Sequence, residues 1–262
     1  MKHLLQIFVL ILGTCWQIHA QSVDNDEASE SKYAFKQLIQ EFLRTEAVYP
    51  QEKGEVQFTT SHYYTPQTNF TTANTSLLVE YGITQFLQIE AEMPYLWNDP
   101  NPGEAMRGFG DLEVGLLYNF WNKRQISVSA VLEAGIPTGN QDQALGNGVV
   151  AWEPKLVLAN QWGKLQTHLD VGLEFTSEET EYAYNLAAIY PLGAFKVVTE
   201  LNGSYEQASD EPDQSQWFIT PALIWNGVPG LEVALGSSIK LDGAQTVQFG
   251  FRLTFEFETI ED

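Results

Sequence analysis

The sequence predicts an all-β fold, a transmembrane antiparallel β-barrel of about twelve strands with a short N-terminal amphipathic helix. Three observations carry this. Apolar and polar residues alternate with period two from about Glu55 almost to the C-terminus, connections alternate between short and long, and tryptophans gather at the ends of the expected strands. Alternation alone also fits a soluble β-sandwich, so the other two decide.

The first twenty of the 262 residues stand apart. Lys2 and His3 precede an almost unbroken apolar run from Leu4 to Leu12, and Ile18-His19-Ala20 offers a small residue for cleavage. This is the layout of a secretory signal peptide over residues 1–20, too short for a spanning helix. The one cysteine, Cys15, lies within it. If Ala20 is the cut, the mature chain has no disulfide and rests on hydrogen bonding and packing alone. A formal net charge of −21 argues against nucleic acid as a partner, since a phosphate backbone needs clustered Lys and Arg.

Residues 21–52 read as a flexible leader and a helix. Gln21 to Glu30 holds mostly Ser, Asp, Glu and Asn. From Tyr33 to Thr45, Phe35, Leu38, Ile39 and Phe42 recur at offsets of three and four, the spacing of one helical face. Such a helix has three places to go: into the lumen as a plug, onto the membrane surface, or against a partner.

Residues 53–262 form the barrel. Strands are expected near 55–65, 72–82, 86–97, 109–121, 125–137, 149–161, 164–175, 181–190, 194–206, 215–226, 230–241 and 245–257. In the last, Val247, Phe249, Phe251, Leu253, Phe255 and Phe257 alternate with Gln248, Gly250, Arg252, Thr254 and Glu256. Connections at Ile83–Gln85, Asn122–Arg124, Trp162–Gly163, Pro191–Gly193 and Gly227–Pro229 are very short, whereas Asn98–Gly108, Thr138–Gly148 and Gln207–Gln214 are long. Short periplasmic turns opposite longer external loops are the asymmetry of outer-membrane barrels. Trp97, Trp121, Trp152, Trp162, Trp217 and Trp225 fall at strand ends, where an indole ring can sit in the bilayer interface with its N–H in water. The expected location is therefore the bacterial outer membrane, with outer-membrane lipids and lipopolysaccharide around the wall.

The register that sends Phe and Leu outward sends Glu90, Glu92, Asp111, Glu113, Glu133, Glu153, His168, Asp170, Glu174 and Glu200 inward, with Lys155, Lys196, Lys240 and Arg252. These are the expected lumen-lining residues. They read either as a rigid network of hydrogen bonds and ion pairs or as a pore lining that disfavours anions. No Gly-x-Ser-x-Gly elbow or His-Glu-x-x-His pair occurs, so no catalytic, metal or cofactor site is expected.

Four segments carry a family resemblance: Glu80-Tyr81-Gly82-Ile83-Thr84, Glu90-Ala91-Glu92-Met93-Pro94-Tyr95, Gly108-Phe109-Gly110-Asp111-Leu112-Glu113-Val114-Gly115 and Gly135-Ile136-Pro137-Thr138-Gly139. In order and spacing, from about Gly54 to Phe257, the chain resembles the bacterial outer-membrane transporters grouped as meta-pathway phenol-degradation proteins. The resemblance implies a channel or transporter for passive passage of small solutes, hydrophobic or aromatic compounds among them. Two alternatives stand beside it: a closed structural or interaction barrel acting through its external loops, and an outer-membrane hydrolase.

Overall fold

The computed structural model describes residues 35–100, 102–177, 179–208, 213–243 and 246–258. The expected signal peptide and the leader up to residue 34 lie outside them. Among the described residues thirteen strands run in order: β1 (Glu55–Thr65), β2 (Phe70–Thr84), β3 (Leu87–Pro100), β4 (Met106–Phe109), β5 (Leu112–Lys123), β6 (Ile126–Ile136), β7 (Ala151–Trp162), β8 (Leu165–Phe175), β9 (Glu179–Leu192), β10 (Phe195–Ala208), β11 (Gln214–Val228), β12 (Leu231–Lys240) and β13 (Val247–Glu258). All pairing is antiparallel and runs between chain neighbours, except that β4 and β5 both pair with β3, and β1 pairs with β13 from Glu55↔Glu258 to Tyr64↔Phe249, closing the sheet. In lipid an open edge would leave a row of backbone groups without partners, so closure is obligatory.

The wall is a ring of twelve strands with one of them broken. β4 pairs with the far half of β3 and β5 with its near half, so the two occupy one place in the ring. The single strand expected over 109–121 is thus interrupted at Gly110 and Asp111. Gly110 donates its N–H to Pro94 O at 2.9 Å, and Leu112 N–H goes to Thr138 Oγ1 at 2.9 Å, which satisfies the backbone where the ladder is lost.

Five connections, at 85–86, 124–125, 163–164, 193–194 and 229–230, have two residues each and fall at one end of the barrel. Gly163 and Gly193 sit at φ 64° and 67°, the left-handed backbone that a two-residue hairpin requires. The opposite end carries the longer connections, including 137–150.

Outside, the wall is apolar. Leu156, Leu158, Leu169, Leu186, Leu223, Phe249 and Phe255 are all exposed, alternating with buried inward neighbours such as Val157, His168, Asp170 and Ala222. Trp97, Trp152 and Trp217 mark the long-loop end of this belt, and Trp121, Trp162 and the half-buried Trp225 mark the short-turn end. Inside, many wall residues are small: Ala159, Ala187, Ala222 and Ala234 are buried there, and Gly236 faces Gly250 across β12 and β13.

Residues 35–52 fill that space, and they correct the expected helix. The described part of the 33–45 segment, from Phe35, has no helical backbone; it is an irregular strap lying within the barrel. Ile39, Phe42 and Leu43 pack on Ala187, Ile189, Val198, Ala222, Ile224 and Ala234, while Phe35 and Val48 pack on Leu117, Val131, Val157 and Ala159. The helical spacing of Phe35, Leu38, Ile39 and Phe42 has another cause. A chain threaded through a tube meets wall on all sides, so its apolar residues need not share one face. The backbone N–H groups a helix would have used internally go to the wall instead.

A charge placed in the apolar belt tests the membrane setting. Leu156→Arg, at the middle of β7, should cost about 2–4 kcal/mol in equilibrium urea unfolding from phospholipid vesicles. A cost below about 1 kcal/mol would contradict a lipid-facing position.

Candidate functional site

The strap enters near the short-turn end, rises to a tip at Phe42–Glu46 and returns to β1. Its backbone meets wall groups of matched polarity. Glu200 accepts from Leu43 N (3.1 Å), Arg44 N (2.9 Å) and Thr45 N (2.7 Å). Asp170 accepts from Glu46 N at 2.9 Å, and Glu232 accepts from Gln40 N at 3.1 Å and Glu41 N at 3.3 Å. These three carboxylates are 0, 1 and 3% exposed. The strap's carbonyls meet donors: Gln166 Nε2 to Lys36 O (2.7 Å), Asn226 Nδ2 to Leu38 O (3.0 Å), and the Tyr63 and Ser129 hydroxyls to Leu43 O and Val48 O. Ionised carboxylates only accept and primary amides and hydroxyls can donate, so the wall completes a backbone that makes no ladder of its own.

Two side chains fix the tip further. Arg44 donates to Ser238 Oγ at 2.8 Å and to Gln248 Oε1, and its guanidinium stands 4.7 Å from the Phe218 ring centroid. Leu43 fills a notch at the glycine pair of β12 and β13, where a Cβ on Gly236 would collide with its Cδ1. On the return, Gly82 leaves room for the Gln51 and Glu52 carbonyls, and Gln51 N donates to Gln88 Oε1 at 2.8 Å.

Above the tip lies a cavity of about 220 Å³, lined by Glu41 and Glu46 of the strap and by Glu80, Glu90, Glu92, Glu113, Glu133, Glu153, Lys155 and Arg252 of the wall. Lys155 is its hub, with Glu133 at 2.9 Å, Glu153 at 3.4 Å and Glu46 at 3.5 Å. Burial pushes the Glu46 carboxyl up to about 7; Lys155 opposes this, while Glu133, Asp170 and Glu80 add to it. The Glu41 carboxyl is raised as well, by burial first and then by Glu80.

The residues singled out from sequence fall into separate places. Glu90, Glu92, Glu113, Glu133, Glu153, Lys155 and Arg252 share the cavity. Asp170 and Glu200 hold the strap. His168 is buried beneath it, its ring 4.8 Å from Phe42 and its Nε2 3.1 Å from Gln166 Oε1. Glu174 is half-buried further along β8, opposite Glu181. Lys196 donates to Asn226 Oδ1 and to Gly193 O near the short turns, and Lys240 donates to Gln216 Oε1 at 3.4 Å at the other end. Asp111 accepts from Gly139 N (2.8 Å) and Asn147 N (2.7 Å), pinning the 137–150 connection over the break between β4 and β5. Leu145 of that connection is buried near Gly108 and Gly110.

Sequence reasoning missed Glu80 and Glu232, which the same alternation would have found, since Glu232 lies between Leu231 and Val233. It also missed the strap's Glu41, Arg44 and Glu46. No local signal marks these, because their partners are remote in the sequence, as with Arg44 and Ser238, 194 residues apart.

The closed ring, the apolar belt with aromatic ends and the polar interior define an outer-membrane β-barrel. The family model described as "Putative MetA-pathway of phenol degradation" matches residues 41–257, and the chain belongs to that family. Among solved structures it is similar to the COG4313 outer membrane channel from Pseudomonas putida F1, at 13% identity and TM-score 0.68 over 80% of this chain and 98% of that one. It is also similar to the NanC porin, at 10% identity and TM-score 0.57 over 76% and 98%, and to the KdgM porin, at 10% identity and TM-score 0.55 over 76% and 99%. A search of curated proteins finds no match.

The strap's seat should respond to pH. Because the folded pKa of Glu46 is raised, its favourable contribution is complete below about 4.5 and is lost as pH rises through about 7. Glu46→Gln should therefore stabilise the protein by about 1–3 kcal/mol at pH 8 and change little at pH 5, measured by urea unfolding. Equal destabilisation at both would contradict the reading.

Proposed function

We propose that the protein is an outer-membrane channel for passive passage of small solutes, closed by the strap in the conformation described. One observation carries this: the wall's own side chains do not fill the tube. Ala159, Ala187, Ala222 and Ala234, with Gly236 and Gly250, line the lower lumen, and the space between them is taken by residues 35–52. A barrel built to be solid would carry large interdigitated residues there. The strap is a single irregular segment, and moving it would join the cavity above to the short-turn end.

The carboxylates around that cavity outnumber its three cations, Arg44, Lys155 and Arg252, which disfavours anions. Family membership and the ring cluster of Phe35, Phe42, Tyr49 and His168 support small aromatic compounds among the solutes. Outer-membrane lipids and lipopolysaccharide are the surrounding partners that the apolar belt calls for.

Planar-bilayer conductance tests the reading. The protein should be mostly closed, and the double variant Glu200→Ala, Asp170→Ala should raise open probability at least about tenfold, equivalent to ~1.4 kcal/mol. Neither protein conducting, with no solute-driven swelling of liposomes, would instead support a closed structural barrel.

A further inference from the structure

The strap's tip is seated as a ligand would be. Its backbone N–H groups converge on Glu200, a fully buried carboxylate. Beside that acceptor lies an apolar hollow of Ala187, Ala222 and Ala234, which takes the side chains of Phe42 and Leu43. The two features are independent. An acceptor for donors could exist on a wholly polar wall, and small apolar residues are not needed to hold a backbone.

We infer that Glu200 and the adjacent apolar hollow form a subsite for organic cations, a primary ammonium group carried next to an aryl or branched alkyl arm, and that the strap is its resident competitor. The inference rests on the channel reading above and names its solute class. A buried carboxylate that loses its N–H donors must regain donors or take a proton. An ammonium group brings three donors and a positive charge, and so replaces the three N–H groups of residues 43–45 while neutralising the carboxylate. The arm replaces Phe42 or Leu43. A carboxylate ligand is repelled by Glu200 and by Asp170, and a neutral alcohol with the same arm restores one donor and no charge. Selectivity thus follows from geometry already present: donors are wanted at one spot and apolar volume at the next.

The test uses the full chain in detergent with Cys15→Ser and Ala47→Cys, which places a thiol at a buried strap position, and reads its labelling by a maleimide. Folding of every variant is checked by heat-modifiable gel migration. 2-Phenylethylamine should raise the labelling rate roughly fivefold by displacing the strap. Phenylacetate and 2-phenylethanol should leave it near its basal value, and Glu200→Gln should remove the response to the amine. Asp170→Asn, as a second variant, should keep the preference for amine over alcohol while labelling faster without ligand. An equal response to 2-phenylethanol, a response to phenylacetate, no response to the amine, or a full response in folded Glu200→Gln would each overturn the subsite. Labelling does not require conduction, so a conducting barrel can fail this test and a barrel that never conducts can pass it.

Discussion

A segment without secondary structure, enclosed in a protein wall, must find a partner for every backbone N–H and C=O. That requirement shapes the interior of this barrel. Buried unpaired polar groups cost about 1–3 kcal/mol each, so residues 35–52 could not lie in the lumen unless the wall offered acceptors and donors in register with them. It does, through Glu200, Asp170 and Glu232 for the N–H groups and through Gln166, Asn226, Tyr63 and Ser129 for the carbonyls. The outer face has no such demand, since its strands satisfy one another and mainly apolar side chains face outward.

This divides the inward carboxylates by role. Glu200, Asp170 and Glu232 are acceptors for a chain segment, Asp111 anchors a loop, and the group around Lys155 frames a cavity. Burying so much negative charge is tolerable because most of it is hydrogen-bonded or faces a cation. The remainder lines the cavity beside the tip of the strap. Small wall residues and a large acidic complement therefore belong to one design, in which the tube is left wide and the strap occupies it.

The wall was legible from sequence because each of its features is local. Period-two alternation in β8 and β13, the two-residue turns at Gly163 and Gly193, and tryptophans at strand ends are all written within a dozen residues. The break at Gly110 was half-legible, as two glycines beside a loop suggest a bend without saying that Thr138 and Gly139, 28 residues on, bond to Gly110 O and Asp111. The strap was not legible. Offsets of three and four among Phe35, Leu38, Ile39 and Phe42 signal a helix only when one surface is to be covered, and here the surfaces surround the chain. Nor could alternation sort acceptors for the strap from cavity-lining groups, because Glu200 and Glu133 are equivalent by register and differ only in what the strap brings to them.

Amide hydrogen exchange at Leu43, Arg44, Thr45 and Glu46 tests most directly whether wall carboxylates hold this segment. If they do, these amides in the folded protein exchange at least about a hundredfold more slowly than in a free peptide, and Glu200→Gln accelerates residues 43–45 while the strand amides of β8 and β10 stay protected. Exchange at free-peptide rates in the unaltered protein would contradict the account.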